Sequence, residues 1–161
     1  MKPEWNQWAR EFKEQYPGAN SALMPLLHRI QAEEGWLSDE TIHDVATLFD
    51  LPESYVESVA SFYSLFFRNQ VGKKVVHVCV GLSCALAGSD RLMENLEHRL
   101  GIKEGQTTAD GEYTLLEAEC LAACNQAPVA QVNLRYFEGL DPERADVLLE
   151  SSKSPEEEVK P

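Results

Sequence analysis

The sequence predicts an α+β protein with a helical arm over about residues 1–70, a compact β-α-β-β-α unit over about 71–150 and a short acidic tail over 151–161. Three observations predict it. Apolar residues recur at helical spacing through the first part, as in Trp5, Trp8 and Phe12. Near Gly72 the period changes to that of a strand, with the β-branched run Val75-Val76-His77-Val78. The chain's four cysteines all fall in the second part, as the pairs Cys79/Cys84 and Cys120/Cys124.

In the arm, Pro17-Gly18 ends the first helix. Asn20 or Ser21 caps the second, with Pro25 expected near its first turn, where a missing N–H costs little. Leu23, Leu26, Leu27 and Ile30 form its apolar stripe and Gly35 stops it. Ser38 with Asp39 and Glu40 starts a third helix, which buries Ile42, Val45, Leu48 and Phe49. Leu51-Pro52 turns into a fourth, carrying Val56, Val59 and Ala60. Four aromatics crowd into Ser61-Phe62-Tyr63-Ser64-Leu65-Phe66-Phe67. Most of them are expected in the core, because rings bury large areas, with the remainder facing a partner or cofactor.

In the second part, Cys79 ends a buried strand. After Cys84, Ser89 or Asp90 caps a helix with Leu92, Met93, Leu96 and Leu100 on its inner face, closed by Gly101. Asp110-Gly111 sits between short alternating stretches, a two-residue hairpin signal. Pro128–Asn133 reads as a further strand, and Asp141-Pro142 opens a last helix with Ala145, Leu148 and Leu149 inward. The tail, with Pro155-Glu156-Glu157-Glu158, has no apolar face to bury and is expected to be disordered.

Composition narrows the function. Fourteen basic against twenty-seven acidic residues give a formal charge of −13, which repels phosphate backbones. The turn around Leu51-Pro52 resembles a helix-turn-helix, but the would-be reading helix carries Glu53 and Glu57 and no cation before Arg68, so nucleic acid is not expected as a partner. No stretch approaches the roughly 20 apolar residues that span a bilayer, and the amino terminus has no apolar run of a secretory signal. The chain is therefore expected to be soluble and intracellular, reaching a membrane only through another protein of a complex. Thiols there stay reduced and paired cysteines more often bind metal than each other.

The cysteine spacing is C-x4-C and C-x3-C. Structural zinc is usually gripped by tight C-x2-C turns, which neither pair has. Disulfides are disfavoured in a reducing compartment. A 2Fe–2S cluster takes four thiolates, two per iron, and accepts the wider loop. Spacing alone leaves all three open. The surroundings favour the cluster: Val80-Gly81-Leu82-Ser83 is small and uncharged, its N–H groups can point at sulfur, and a helix following Cys84 would add its positive end. A Rieske centre fails because no histidine accompanies Cys120 or Cys124, and a thiol–disulfide oxidoreductase is disfavoured because neither pair is C-x-x-C. No acid or base lies within either cysteine loop, so no catalytic residue is assigned.

Across nearly the whole chain the residues resemble a known family. The matching positions include Met24-Pro25-Leu26, Gln31 through Gly35-Trp36-Leu37, Val59 through Ser64, Cys79 and Cys84 with Gly88 beyond, Asp110-Gly111, Cys120-Leu121 to Cys124, Ala127-Pro128 and Val132-Asn133. The family is the thioredoxin-like 2Fe–2S subunit of bacterial NADH:quinone oxidoreductase (respiratory complex I). The same module occurs in NAD-linked hydrogenases and formate dehydrogenases. The resemblance implies a helical bundle followed by a thioredoxin-like α/β domain, with Cys79, Cys84, Cys120 and Cys124 as ligands of one cluster. It implies a flavoprotein partner that binds FMN and oxidises NADH, and a place in the cytoplasm on the inner face of the cell membrane within a complex. The chain would be an electron-transfer subunit with no complete active site of its own. A zinc-stapled interaction module is the reading from another class.

The chain departs from the family's habit in three places. Ala122 stands where glycine usually follows Cys-Leu, at a cost of about 1 kcal/mol if that position needs positive φ. Ala85 stands where histidine is frequent, and Leu134-Arg135-Tyr136 lacks an acidic turn. His28, His43 and His98 fall on helices and read as boundary or solvated residues, and His77 as a packed strand histidine on the same face as Cys79.

Overall fold

The computed structural model describes residues 2–151, and the acidic tail lies outside the described residues except for the backbone of Ser151. The chain forms two compact units, divided between Gln70 and Val71.

The first unit holds α1 (Pro3–Gln15), α2 (Ala19–Glu34), α3 (Asp39–Phe49) and α4 (Glu53–Phe62). Its core is built from the stripes that the periodicity marks: Leu23, Leu26, Leu27 and Ile30 of α2 meet Trp5 of α1, Ile42, Val45 and Phe49 of α3, and Val56 of α4. Each such side chain contributes about 1.5–3 kcal/mol on burial. The Ser38 hydroxyl caps α3 by accepting from the Thr41 N–H at 3.1 Å, and Gly35 ends α2 in the left-handed region at φ +83°. Pro25 does not sit in a first turn: α2 begins six residues earlier, at Ala19, so the proline lies inside the helix. The Pro17-Gly18 break allows the helix to start before the side chains that looked like caps, and the packing of its apolar stripe outweighs one missing N–H.

The aromatic stretch also departs from expectation. Phe66 is buried, but Phe62 is 80% exposed and Tyr63 and Leu65 are exposed as well. The helix ends at Phe62, and the irregular chain beyond it turns only Phe66 inward, onto the ring of His28 at 4.6 Å. Gln31 pins this stretch from α2, its side-chain amide donating to the Leu65 carbonyl and accepting from the Phe67 N–H, both at 2.7 Å. Arg68 adds ion pairs to Asp39 at 2.7 Å and Glu57 at 2.8 Å.

The second unit is a four-stranded mixed sheet of order β2-β1-β3-β4, from β1 (Lys74–Cys79), β2 (Tyr113–Ala118), β3 (Ala130–Val132) and β4 (Arg135–Phe137). A short helix α5 (Leu82–Leu86) and α6 (Ser89–Leu100) cross from β1 to the parallel β2, and α7 (Ala145–Ser151) follows the sheet. Val76 and Val78 of β1, Leu115 of β2 and Val132 of β3 share one face with Leu92 and Leu96 of α6 and Leu148 of α7. This is a thioredoxin-like arrangement, with two differences from what the sequence predicts. The Asp110-Gly111 turn forms, with Gly111 at φ +70°. Its incoming arm is not a regular strand: it meets β2 at the bridge Thr107↔Thr114 and through the hydrogen bonds of Gly105, Gln106 and Thr108 with Leu115 and Tyr113. The three-residue β4 and five-residue α5 escape notice because neither is long enough to show a period.

Candidate metal centre

The chain direction of β1 and β2 decides where the cysteines go. Lys74 pairs with Tyr113 and Cys79 with Ala118, so the parallel strands finish level with each other. The ladder runs one step further: the Val80 N–H donates to the Ala118 carbonyl at 2.9 Å, and the Cys79 N–H donates to the Val129 carbonyl at 3.0 Å. The two cysteine loops therefore leave the same end of the sheet, the carboxyl end where open α/β sheets place their ligands. Cys79 is the last residue of β1, Cys84 the third of α5, Cys120 lies two past β2, and Cys124 opens a single 3-10 turn, Cys124–Gln126. The helix expected after Cys84 is α6, but it begins at Ser89 with Gly88 and not Ser89 or Asp90 at its cap, and Cys84 itself lies within the short α5.

Gly81 makes the approach of the loops possible. A Cβ there would come within 3.1 Å of the Glu119 carbonyl and 3.6 Å of the Cys79 sulfur. Its φ of −59° is ordinary, so the glycine is needed for closeness and not for conformation. Cys79 and Cys84 are buried with Val129, against which Leu121, Ala123 and Ala127 pack, whereas Cys120 and Cys124 are exposed. All four thiols are free.

Backbone donors surround the sulfurs. Burial acts first on Cys79 and would raise its thiol, but the N–H groups of Leu121 and Gly81, with the thiols of Cys84 and Cys120, outweigh it and hold the pKa below the ordinary 9.0. Cys84 moves up, first through burial and then because its thiol donates to Cys79, against the Val129 N–H that favours its thiolate. Val129 thus takes the Cys79 N–H on its carbonyl and offers its own N–H to Cys84. The Ala122 N–H stands 3.3 Å from the Cys120 sulfur. Ala122 is at φ +59°, so the left-handed conformation considered for this position is the one adopted.

Leu121, Val129 and Ala122 contribute through the backbone, which side-chain identity does not display. A glycine between the first two cysteines was the one visible hint. His77 sits half-buried opposite Gln131 and Leu116, and burial lowers its pKa. His43 pairs with Glu53 at 3.0 Å on the first unit.

The donor set is all thiol, with N–H groups turned toward sulfur, and this fits an anionic iron–sulfur cluster. Hydrogen bonds link Cys84 to Cys79 and Cys79 to Cys120, and Cys84 feels the charge of Cys124. Even so, among the described residues no three His, Cys, Asp or Glu converge as a set able to hold one metal ion. A tetrahedral zinc asks for four ligands around a single ion. A binuclear cluster asks for two thiolates at each iron.

The chain belongs to the family described as Thioredoxin-like [2Fe-2S] ferredoxin, whose profile matches residues 9–153. Its relatives include E subunits of NADH-quinone oxidoreductase. To the second such subunit of Rhizobium meliloti (strain 1021) it is 42% identical over 141 residues, covering 88% of this chain and 84% of that one. To that of Rickettsia bellii (strain RML369-C) it is 38% identical over 149 residues, covering 91% and 89%. The Mycobacterium bovis relative is longer: at 39% identity the match covers 91% of this chain and 58% of that one. Among solved structures, an NAD+-reducing [NiFe]-hydrogenase matches 86% of this chain with TM-score 0.72 at 28% identity, through 23% of its own chain.

Proposed function

We propose that this protein is the electron-transfer subunit of an NADH-oxidising respiratory complex, holding one 2Fe–2S cluster on Cys79, Cys84, Cys120 and Cys124. The observation that carries the reading is that both cysteine pairs leave the same end of the parallel strands β1 and β2, with Cys79 hydrogen-bonded to Cys84 and to Cys120, in a chain of this family. When bound, the cluster supplies a site that takes up and gives back one electron at a time.

The chain's own groups prepare that site. Four thiolates concentrate negative charge, and the N–H groups of Gly81, Leu121, Ala122 and Val129 offset it without adding a titrating group. Burial of Cys79 and Cys84 keeps water from one side, and exposure of Cys120 and Cys124 leaves the other open to an electron partner. No catalytic acid, base or nucleotide-binding loop is needed here. FMN and NADH belong on a flavoprotein partner, which the relatedness to NADH-quinone oxidoreductase supports. Among the described residues no helix is long and apolar enough to cross a membrane, and we place the chain on the inner membrane face through its complex.

A second reading has one observation behind it: the hydrogenase chain carries the same module at TM-score 0.72. Purification of the intact complex separates the two, by quinone reduction with NADH or by hydrogen oxidation coupled to NAD+ reduction. For the cluster itself, anaerobically purified protein should be brown and give a one-electron EPR signal on reduction. Colourless protein with one zinc per chain would overturn the assignment.

A further inference from the structure

We propose that Leu82 and Leu86 of α5 form the apolar anchor by which this protein docks onto its FMN-carrying, NADH-oxidising partner. The inference rests on the function proposed above and names the surface that serves it. The two leucines are the most exposed large apolar side chains among the described residues of the second unit, 78% and 83%. They stand four residues apart on one helix, so they lie on one face, with the buried Cys84 between them.

An isolated exposed leucine needs no explanation, but this pair has company. No Asp, Glu, Lys or Arg occurs between Lys74 and Asp90, in a chain where a quarter of the residues are charged. Over Gly81–Ser89, α5 and its flanks thus present large apolar side chains and no charge of their own, which is the composition of an interface core. The face also adjoins the cysteine loops, since Gly81, next to Leu82, lies so near the Glu119 carbonyl that a Cβ there would stand 3.1 Å from it, one residue before the exposed Cys120. Electron transfer weakens exponentially with the gap, so a partner must cover the redox site closely, and an anchor beside it holds that gap.

The surroundings choose the occupant. Exposed Glu117 and Glu119 precede Cys120, exposed Asp90 follows α5 by four residues, and Arg91 beside it is engaged by Glu143 at 3.6 Å. A second copy would bring the same acidic rim and its own charge of −13 against this one. An anionic lipid surface would be repelled as well. A redox protein with an apolar pocket and a basic rim fits.

The test measures affinity of the cluster-loaded protein for the purified flavoprotein of the same organism's NADH-oxidising complex. Leu82→Ser/Leu86→Ser is expected to weaken binding about 30-fold or more, with the visible and EPR spectra unchanged. Leu134→Ser, an exposed leucine at the far end of β3, should bind as wild type. If the double variant loses its spectrum, Leu86→Ser alone takes its place. Wild-type affinity in a variant with an intact spectrum overturns the docking face and leaves the proposed function standing. A wild-type dimer that the substitutions dissociate assigns the face to a second copy and also overturns it. Wild-type protein that does not bind the flavoprotein overturns the function, and this docking with it.

Discussion

The backbone N–H of Ala122 stands 3.3 Å from the sulfur of Cys120, and Ala122 adopts φ +59°. A residue with a Cβ is strained there, whereas glycine is not. Ala122→Gly should therefore stabilise the protein by about 1 kcal/mol while keeping the N–H at the sulfur. Chemical unfolding of the metal-free chain checks this, and an unchanged or lower midpoint would contradict the strain.

Cys79 is buried and surrounded by donors, and Cys120 is exposed beside a single N–H. Cys79→Ser and Cys120→Ser should both lose most of the bound iron and the visible absorption. Cys79→Ser should also destabilise the second unit more, because a hydroxyl replaces a thiol inside the Val129 cluster. Both should retain the helical far-UV signal of α1–α4. Iron per chain and circular dichroism check this, and undiminished iron in either would remove that cysteine from the ligand set.

The β3–β4 turn places Asn133 at φ +46° and Leu134 at φ +70°. Asn133 gains from its position, accepting from the Val75 N–H at 2.8 Å and donating to the Lys73 carbonyl at 2.7 Å. Leu134 is exposed and strained, in the second place of a turn that favours Asn-Gly. Leu134→Gly should stabilise by about 1 kcal/mol and leave iron binding untouched. A fall in the thermal midpoint would refute it.

Two histidines give the helical unit opposite pH responses. The Glu53 carboxylate hydrogen-bonds His43 and raises its pKa above 6.5, so its contribution is full below 6.5 and lost as pH rises through the higher folded value. Burial lowers the pKa of His28, so its contribution is full above 6.5 and lost as pH falls through the lower folded value. His43→Gln should flatten the alkaline side of the stability profile and His28→Phe the acid side. Urea midpoints between about pH 5 and about pH 8 measure both, and a profile unmoved by either substitution would refute the pairings.

Long periodic elements were legible. The stripes of α1–α4 and α6 and the valines of β1 declared themselves because each buries one face repeatedly. Short or irregular elements were not: α5 and β4 have too few residues for a pattern, and the chain after Phe62 follows Gln31 and Arg68 instead of its own hydrophobicity. Most of the four rings here were expected inside because they are aromatic, yet Phe62 and Tyr63 stay exposed, packing edge-on against each other and, through Tyr63, against Phe66.

By itself the sequence determined the inventory: four thiols in two pairs, a small uncharged loop at the first, and apolar periodicities that separate a helical arm from a sheet. Only the tertiary structure decided that the pairs meet. Cys84 and Cys120 are far apart along the chain, and only the parallel register of β1 on β2 ends both loops at one edge. Tertiary structure also decided which sulfurs are buried, which N–H groups face them and that Ala122 takes a glycine's conformation. These are backbone directions and burial, set by what packs around a residue, and a one-letter code records neither.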